Sequence, residues 1–138
     1  MASLIHPRIL EVMALDQGIL SSFGMTVHKA LDGECEIACS VPAHLVNAAG
    51  FAHGSIAFAL MDTACAYAIG SAEIRGVTIN ANTTYVHGAQ AGSQLSAHAS
   101  IVSRSRRLAT LRGEVNLQTP DGPRLSAHGS FVFQLFDA

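Results

Sequence analysis

The chain has 138 residues, 49% hydrophobic and only 13% charged, with a formal net charge of -2 and a mean hydropathy of +0.33. Soluble domains carry about 25% charged residues, so charge is scarce, and a disordered chain, which pairs low hydrophobicity with high charge, is excluded. Eight basic residues without a basic stripe argue against a nucleic-acid surface.

A membrane span is not expected either. The best apolar run, Ile56–Ile69, is broken by Asp62 and Thr63 and falls short of the roughly 18 residues a spanning helix needs. The length fits one domain over residues 1–138, with a helical extension over 1–18. A domain of this size buries roughly 68–70% of its unfolded surface, so a charge-poor remainder points to self-association. The N-terminus lacks the basic-then-apolar layout of a secretory signal. Cys35, Cys39 and Cys65 show no CxxC spacing and read as small buried thiols of a cytoplasmic protein. The seven histidines form no zinc pattern.

In chain order, residues 4–16 carry Leu4, Ile5, Ile9, Leu10, Met13 and Ala14 at helical spacing, with Pro7 suited to a first turn. Residues 24–41 read as two strands around a hairpin turn at Leu31-Asp32-Gly33, and Pro42 ends the second. Residues 42–53 are irregular. The block 54–72 is helical and almost without a polar face, which predicts a helix buried on all sides, ended with the help of Gly70 or Gly76. About four strands follow, over 77–86, 95–102, 108–118 and 125–135, with a turn at Thr119-Pro120-Asp121-Gly122. Two strands, one apolar helix and four more strands give an α+β domain in which a curved antiparallel sheet wraps a central helix.

Asp62 stands alone within the apolar helix, and burying an ionised carboxylate without a partner is costly. It faces solvent, or bonds structural donors, or acts as a catalytic group tuned by an apolar site. His53-Gly54-Ser55 leads into the helix N-terminus, where free N–H groups and the dipole favour a developing negative charge, such as that on a carbonyl oxygen. The alternative is a simple cap by His53 or Ser55. Gly54 and Asp62 lie eight residues apart, about 12 Å along a helix. One small reacting group cannot touch both within a single chain, so joint action requires a dimer.

The stretch from Asn47 through Gly50, His53-Gly54-Ser55, Phe58, Leu60, Asp62, Ala64 and Ala68, followed by Gly76-Val77-Thr78-Ile79-Asn80, resembles the signature of hotdog-fold acyl-CoA thioesterases, closest to the phenylacetate-degradation (PaaI-like) type. The resemblance covers roughly residues 20–136. It implies a hotdog fold and hydrolysis of an acyl-CoA thioester, with coenzyme A as part of the substrate and no separate cofactor or metal. Asp62 would be the general base or nucleophile, and the Gly54 N–H would polarise the carbonyl. Asn47 would position the reacting group or the water, Thr78 would hold the water, and His53 would orient the loop. It also implies a site shared by two subunits, within a dimer or tetramer. Two positions depart from the family pattern. Ser55 replaces the second glycine of His-Gly-Gly, beside the path of the acyl group, and Gly92-Ser93 stands where Gly-Asp is usual. Arg104, Arg106 and Arg107 are either phosphate contacts for coenzyme A or a solvated turn. Phe58, Met61 and Tyr67 either line the acyl site or pack the core. A hotdog hydratase or dehydratase using His53, and a non-catalytic acyl-CoA-binding protein, are the alternatives.

Overall fold

The computed structural model describes residues 3–136. Two short helices, α1 (Pro7–Leu15) and α2 (Gln17–Phe23), precede a hairpin of β1 (Met25–Leu31) and β2 (Glu34–Ser40). The long helix α3 (Gly54–Ser71) follows, and β3 (Arg75–Tyr85), β4 (Gln94–Arg104), β5 (Leu108–Thr119) and β6 (Gly122–Phe136) complete one antiparallel sheet. Its order is β1-β2-β4-β5-β6-β3, so β3 is an edge strand although it comes third in the chain.

The N-terminal reading needs adjustment. Pro7 does open α1, at the first helical position, where its missing N–H has no intrahelical acceptor to lose. His6 caps it, its Nδ1 accepting from the Arg8 N–H at 3.1 Å. The helical region then continues through α2 to Phe23, ended by Gly24 in the left-handed conformation (φ 65). Residues 17–23 are too short a segment to show helical periodicity. The hairpin turn is as expected, with positive φ at Asp32 and Gly33, the pairing that matches strand twist.

The core lies between α3 and the concave face of the sheet. Alternate residues of each strand point inward: Cys35 and Ile37 on β2, Ala97 and Ala99 on β4, Leu111 and Val115 on β5, Phe131 and Phe133 on β6. They pack on Ile56, Leu60, Met61, Ala64, Cys65 and Ala68 of α3. Gly113 permits this closeness, since a Cβ there would lie 3.1 Å from the Met61 side chain.

Two expectations about α3 are corrected. Neither Gly70 nor Gly76 ends it. Gly70 lies inside the helix, where a Cβ would come 2.7 Å from Ile9 Cδ1, and Gly76 lies in β3. The helix closes instead through Glu73 at positive φ (63), with Glu73 N–H donating to Gly70 O and Ile74 N–H to Ile69 O, the paired bonds of a Schellman motif. Nor is α3 buried all round. Ser55, Phe58, Ala59, Asp62 and Ala66, which fall on one helical face, form a stripe the sheet leaves partly or wholly open. Phe58 is 38% exposed. Beside this stripe, β3 exposes Val77 and Ile79 along an unpaired edge.

Candidate active site

The loop before α3 is built around Asn47. Its Oδ1 accepts from the N–H groups of Ala49 (3.0 Å) and Phe51 (3.1 Å), a turn that the short amide side chain makes with its own backbone. Ala52 N–H donates to Ala89 O and His53 N–H to Leu45 O, so the chain enters the helix from a fixed direction. His53 is the N-cap: its Nδ1 accepts from Ser55 N–H at 3.0 Å and lies 2.8 Å from Ser55 Oγ. Its carbonyl takes the Ile56 N–H at 3.0 Å. Of the first three helical N–H groups, Gly54's alone finds no acceptor among the described residues.

That free donor opens into a groove of about 820 Å³. Asn47, His53 and Gly54 stand at one end, and Phe51, Val86 and Leu117 are among its apolar walls. Tyr85 closes over the helix N-terminus. Its hydroxyl donates to Gly54 O at 2.9 Å, and a Cβ on residue 54 would lie 3.3 Å from that oxygen. Sequence reasoning assigned no role to Tyr85; the only signal was its place at the end of the Asn80–Tyr85 stretch.

Asp62 is half-buried on the open stripe of α3. Thr78 Oγ1 donates to its Oδ1 at 2.7 Å, which holds the carboxylate in one orientation, while Oδ2 has no hydrogen-bond partner among the described residues. Asp62, at the middle of α3, and Thr78 therefore belong together, while Asn47, His53 and Gly54 form a second group at the helix N-terminus. The groove contains the second group and neither member of the first. Phe58 lies midway, four residues from Gly54 and four from Asp62, its ring 5.7 Å from that of Phe131 and tilted by 50°.

The other residues separate clearly. Arg104 ends β4, and Arg106 and Arg107 are exposed in the turn to β5. Leu108 pairs with Gln134 and Gln134 with Val77, so this turn lies at the Asp62–Thr78 end of the sheet, away from the groove. Met61 does not line a site: it is wholly buried against Gly113. Tyr67 is likewise internal, its hydroxyl donating to Asp16 Oδ2 at 2.7 Å. Burial first, and then the Asp16 carboxylate, push its phenol well above the ordinary range. The three cysteines are buried and unpaired. Burial, reinforced by Glu36, pushes the Cys35 thiol up to about 12, and burial with Asp62 raises Cys65 further; neutral thiols of this kind are poor nucleophiles. Among the described residues no helix is long and apolar enough to cross a membrane.

Solved structures share this architecture throughout. A single-residue mutant of the phenylacetic acid degradation protein PaaI from Thermus thermophilus is 28% identical, covering 86% of this chain and 99% of its own, with a TM-score of 0.79. PaaI from E. coli, 21% identical, superposes with a TM-score of 0.86 over 99% of this chain and 98% of its own. A hypothetical thioesterase from Streptococcus pneumoniae, solved with coenzyme A, is 21% identical, with a TM-score of 0.82 over 90% and 96% of the two chains. No curated protein sequence matches the chain. The fold is thus the hotdog fold anticipated from the Asn47–Ala68 stretch. The profile described as Thioesterase superfamily matches residues 49–122, a span that takes in Gly54, Asp62 and Thr78; the chain belongs to the thioesterase superfamily.

Proposed function

We propose that the protein hydrolyses an acyl-CoA thioester to a carboxylic acid and free coenzyme A, at a site shared by two copies of the chain. The observation that carries this reading is the division of the site: an N–H donor at Gly54, free among the described residues, at the helix N-terminus, and an oriented carboxylate at Asp62, eight residues on at mid-helix, with the exposed Phe58 between them. Two helices crossing antiparallel at Phe58 bring Gly54 of each copy to Asp62 of the other, which makes two equivalent sites. The same contact covers the open stripe of α3 and the exposed Val77 and Ile79 of edge strand β3, surface that an isolated chain leaves wet.

In this reading Asp62 takes a proton from water, or attacks the thioester carbon itself, breaking the C–S bond to leave an anhydride that water then hydrolyses, its proton passing to the departed thiolate; Thr78 fixes the orientation of Asp62. In the water route the new C–O bond forms, charge gathers on the carbonyl oxygen against the Gly54 N–H, and the C–S bond then breaks. The proton held by Asp62 passes to the departing sulfur. The helix N-terminus stabilises the oxyanion without having to reorganise. The acyl group occupies the groove beside Gly54, between Phe51, Val86 and Leu117. Arg104, Arg106 and Arg107, at the Asp62 end, are positioned to meet the phosphates of coenzyme A.

A hydratase mechanism would need the His53 ring as acid or base; its Nδ1 accepts the Ser55 N–H, so that role would fall to Nε2. The test is thiol release across short, medium and aryl acyl-CoAs. Hydrolysis of at least one, lost in Asp62→Asn, is the expected result. Binding without thiol release, or turnover unaffected by Asp62→Asn, contradicts the proposal.

A further inference from the structure

Edge strand β3 shifts its alternation partway along its length. Thr78 pairs with Phe133 and Asn80 with Val132, so Ile79 is an extra residue, a β-bulge. Beyond it Ala81 pairs with Phe131, Thr83 with Gly129 and Tyr85 with Ala127. Residues directly opposed across two strands share a face, and Phe133, Phe131 and Ala127 are all buried in the core. Thr78 and Tyr85, seven residues apart, therefore both face α3, which an unbroken period of two forbids. The bulge lets one strand hand a hydroxyl to Asp62 and another to Gly54 O, at 2.7 and 2.9 Å.

We infer that Tyr85 is a positioning residue for the Gly54 oxyanion donor, a role that rests on the thioesterase reading. Gly54 is the first residue of α3 and, lacking a Cβ, the one most free to turn. An N–H that swings cannot act as a preorganised donor. Two bonds limit the swing. The carbonyl of the donor's own peptide, His53 O, takes the Ile56 N–H at 3.0 Å. The next carbonyl, Gly54 O, takes the Tyr85 hydroxyl. The ring lies close on residue 54, where a Cβ would stand 3.3 Å from Oη and 3.4 Å from Cζ. The end of β3 is fastened in turn. Val86 N–H and His87 N–H both donate to Ser126 O, at 2.8 and 3.1 Å, and the buried Ser126 donates its hydroxyl to His87 O at 2.7 Å. Tyr85 itself is 55% exposed in the single chain, so core packing does not account for it. Phenylalanine would serve equally as a wall of the groove; the bond to Gly54 needs the oxygen.

Tyr85→Phe keeps the ring and removes only the oxygen, at a position outside the core. In thiol release from the best acyl-CoA substrate, kcat should fall about 10-fold, less than the roughly 10²–10³-fold cost of deleting an oxyanion donor outright. KM should stay nearly unchanged. A residue that only walled the groove would instead raise KM and leave kcat alone. Nitrogen-15 relaxation supplies a second readout: the order parameter of the Gly54 amide should fall in the variant, while those of mid-helix residues hold. A wild-type kcat in Tyr85→Phe, a loss confined to KM, or an unchanged Gly54 order parameter would overturn the inference and leave the thioesterase reading standing. Wild-type protein that releases no thiol from any acyl-CoA would sink that reading, and the role of Tyr85 with it.

Discussion

Asp62 has two neighbours of opposite character: the apolar helix on whose open stripe it stands half-buried, and Thr78, whose hydroxyl bonds one carboxylate oxygen. Removing the charge and removing the orienting group should therefore have different consequences. Asp62→Asn keeps the shape and should lower kcat by about 10²–10⁴-fold, the range for losing a positioned proton acceptor, with the fold intact by circular dichroism. Thr78→Val should lower kcat by a smaller factor and leave KM nearly unchanged, because the carboxylate survives and only its orientation is relaxed. Equal losses in the two variants would mean that Thr78 does more than orient. Asp62 stands out in the sequence as the single charge of an apolar helical block, a pattern that a solvent-facing or structural carboxylate also fits. Tyr85 does not. Its bond to the Gly54 carbonyl joins residues 31 positions apart, and that proximity depends on β3 pairing with the last strand, which no local pattern records.

The elements around the helix are held by a few specific contacts. Tyr67 reaches out of α3 to Asp16, at the junction of α1 and α2, and Ile9 of α1 rests against Gly70. Asp16→Ala strands a buried phenol hydroxyl and should cost about 1–3 kcal/mol, read as a lowered midpoint in urea unfolding. Adding Tyr67→Phe to that variant should recover part of the loss, since the apolar ring no longer needs an acceptor. No recovery would show that Asp16 acts through something other than Tyr67. At this scale the sequence disclosed much: the hairpin at Asp32-Gly33, the long helix, the four later strands and their inward faces all follow from period and turn chemistry. It disclosed less where tertiary context decides. Helix α2 is too short to announce itself, and an apolar pattern on α3 cannot distinguish a stripe covered by the sheet from one left for a second copy.

For the whole molecule, the shortage of charge has a consequence for alkaline stability. Cys35 and Cys65 are buried as neutral thiols, with Cys35 raised from 9.0 to about 12 and Cys65 further. Above pH 9 the unfolded chain has lost protons that the folded chain still holds. The unfolded state binds fewer protons, so stability is fully present below about pH 9 and falls as pH rises towards 12, with a limiting slope of about 1.4 kcal/mol per pH unit for each thiol. Replacing both with alanine should make the dependence of the urea midpoint on pH between 9 and 11 shallower, leaving the share of Cys39 and Tyr67, which burial also raises; an unchanged slope would show that the two thiols do not contribute to it. Phe58 of the α3 stripe and Val77 and Ile79 of the β3 edge stay exposed in the single chain, the apolar surface that the proposed shared site would cover.

That sharing is tested most directly by mixing two inactive proteins. Gly54→Pro removes the oxyanion donor while keeping the local backbone, since proline suits the first helical position and His53 already has the extended backbone (φ -59, ψ 143) that precedes a proline; its Cβ requires the Tyr85 hydroxyl, 3.3 Å away, to shift. Asp62→Asn removes the carboxylate. Unfolded and refolded together, the two variants form mixed dimers in which one site carries both defects and the other carries neither. Acyl-CoA hydrolysis should return to about a quarter of the wild-type rate, the statistical share for a two-fold symmetric pair. A mixture as inactive as its components, although mass spectrometry shows that mixed dimers have formed, would contradict a site built from Gly54 of one copy and Asp62 of the other.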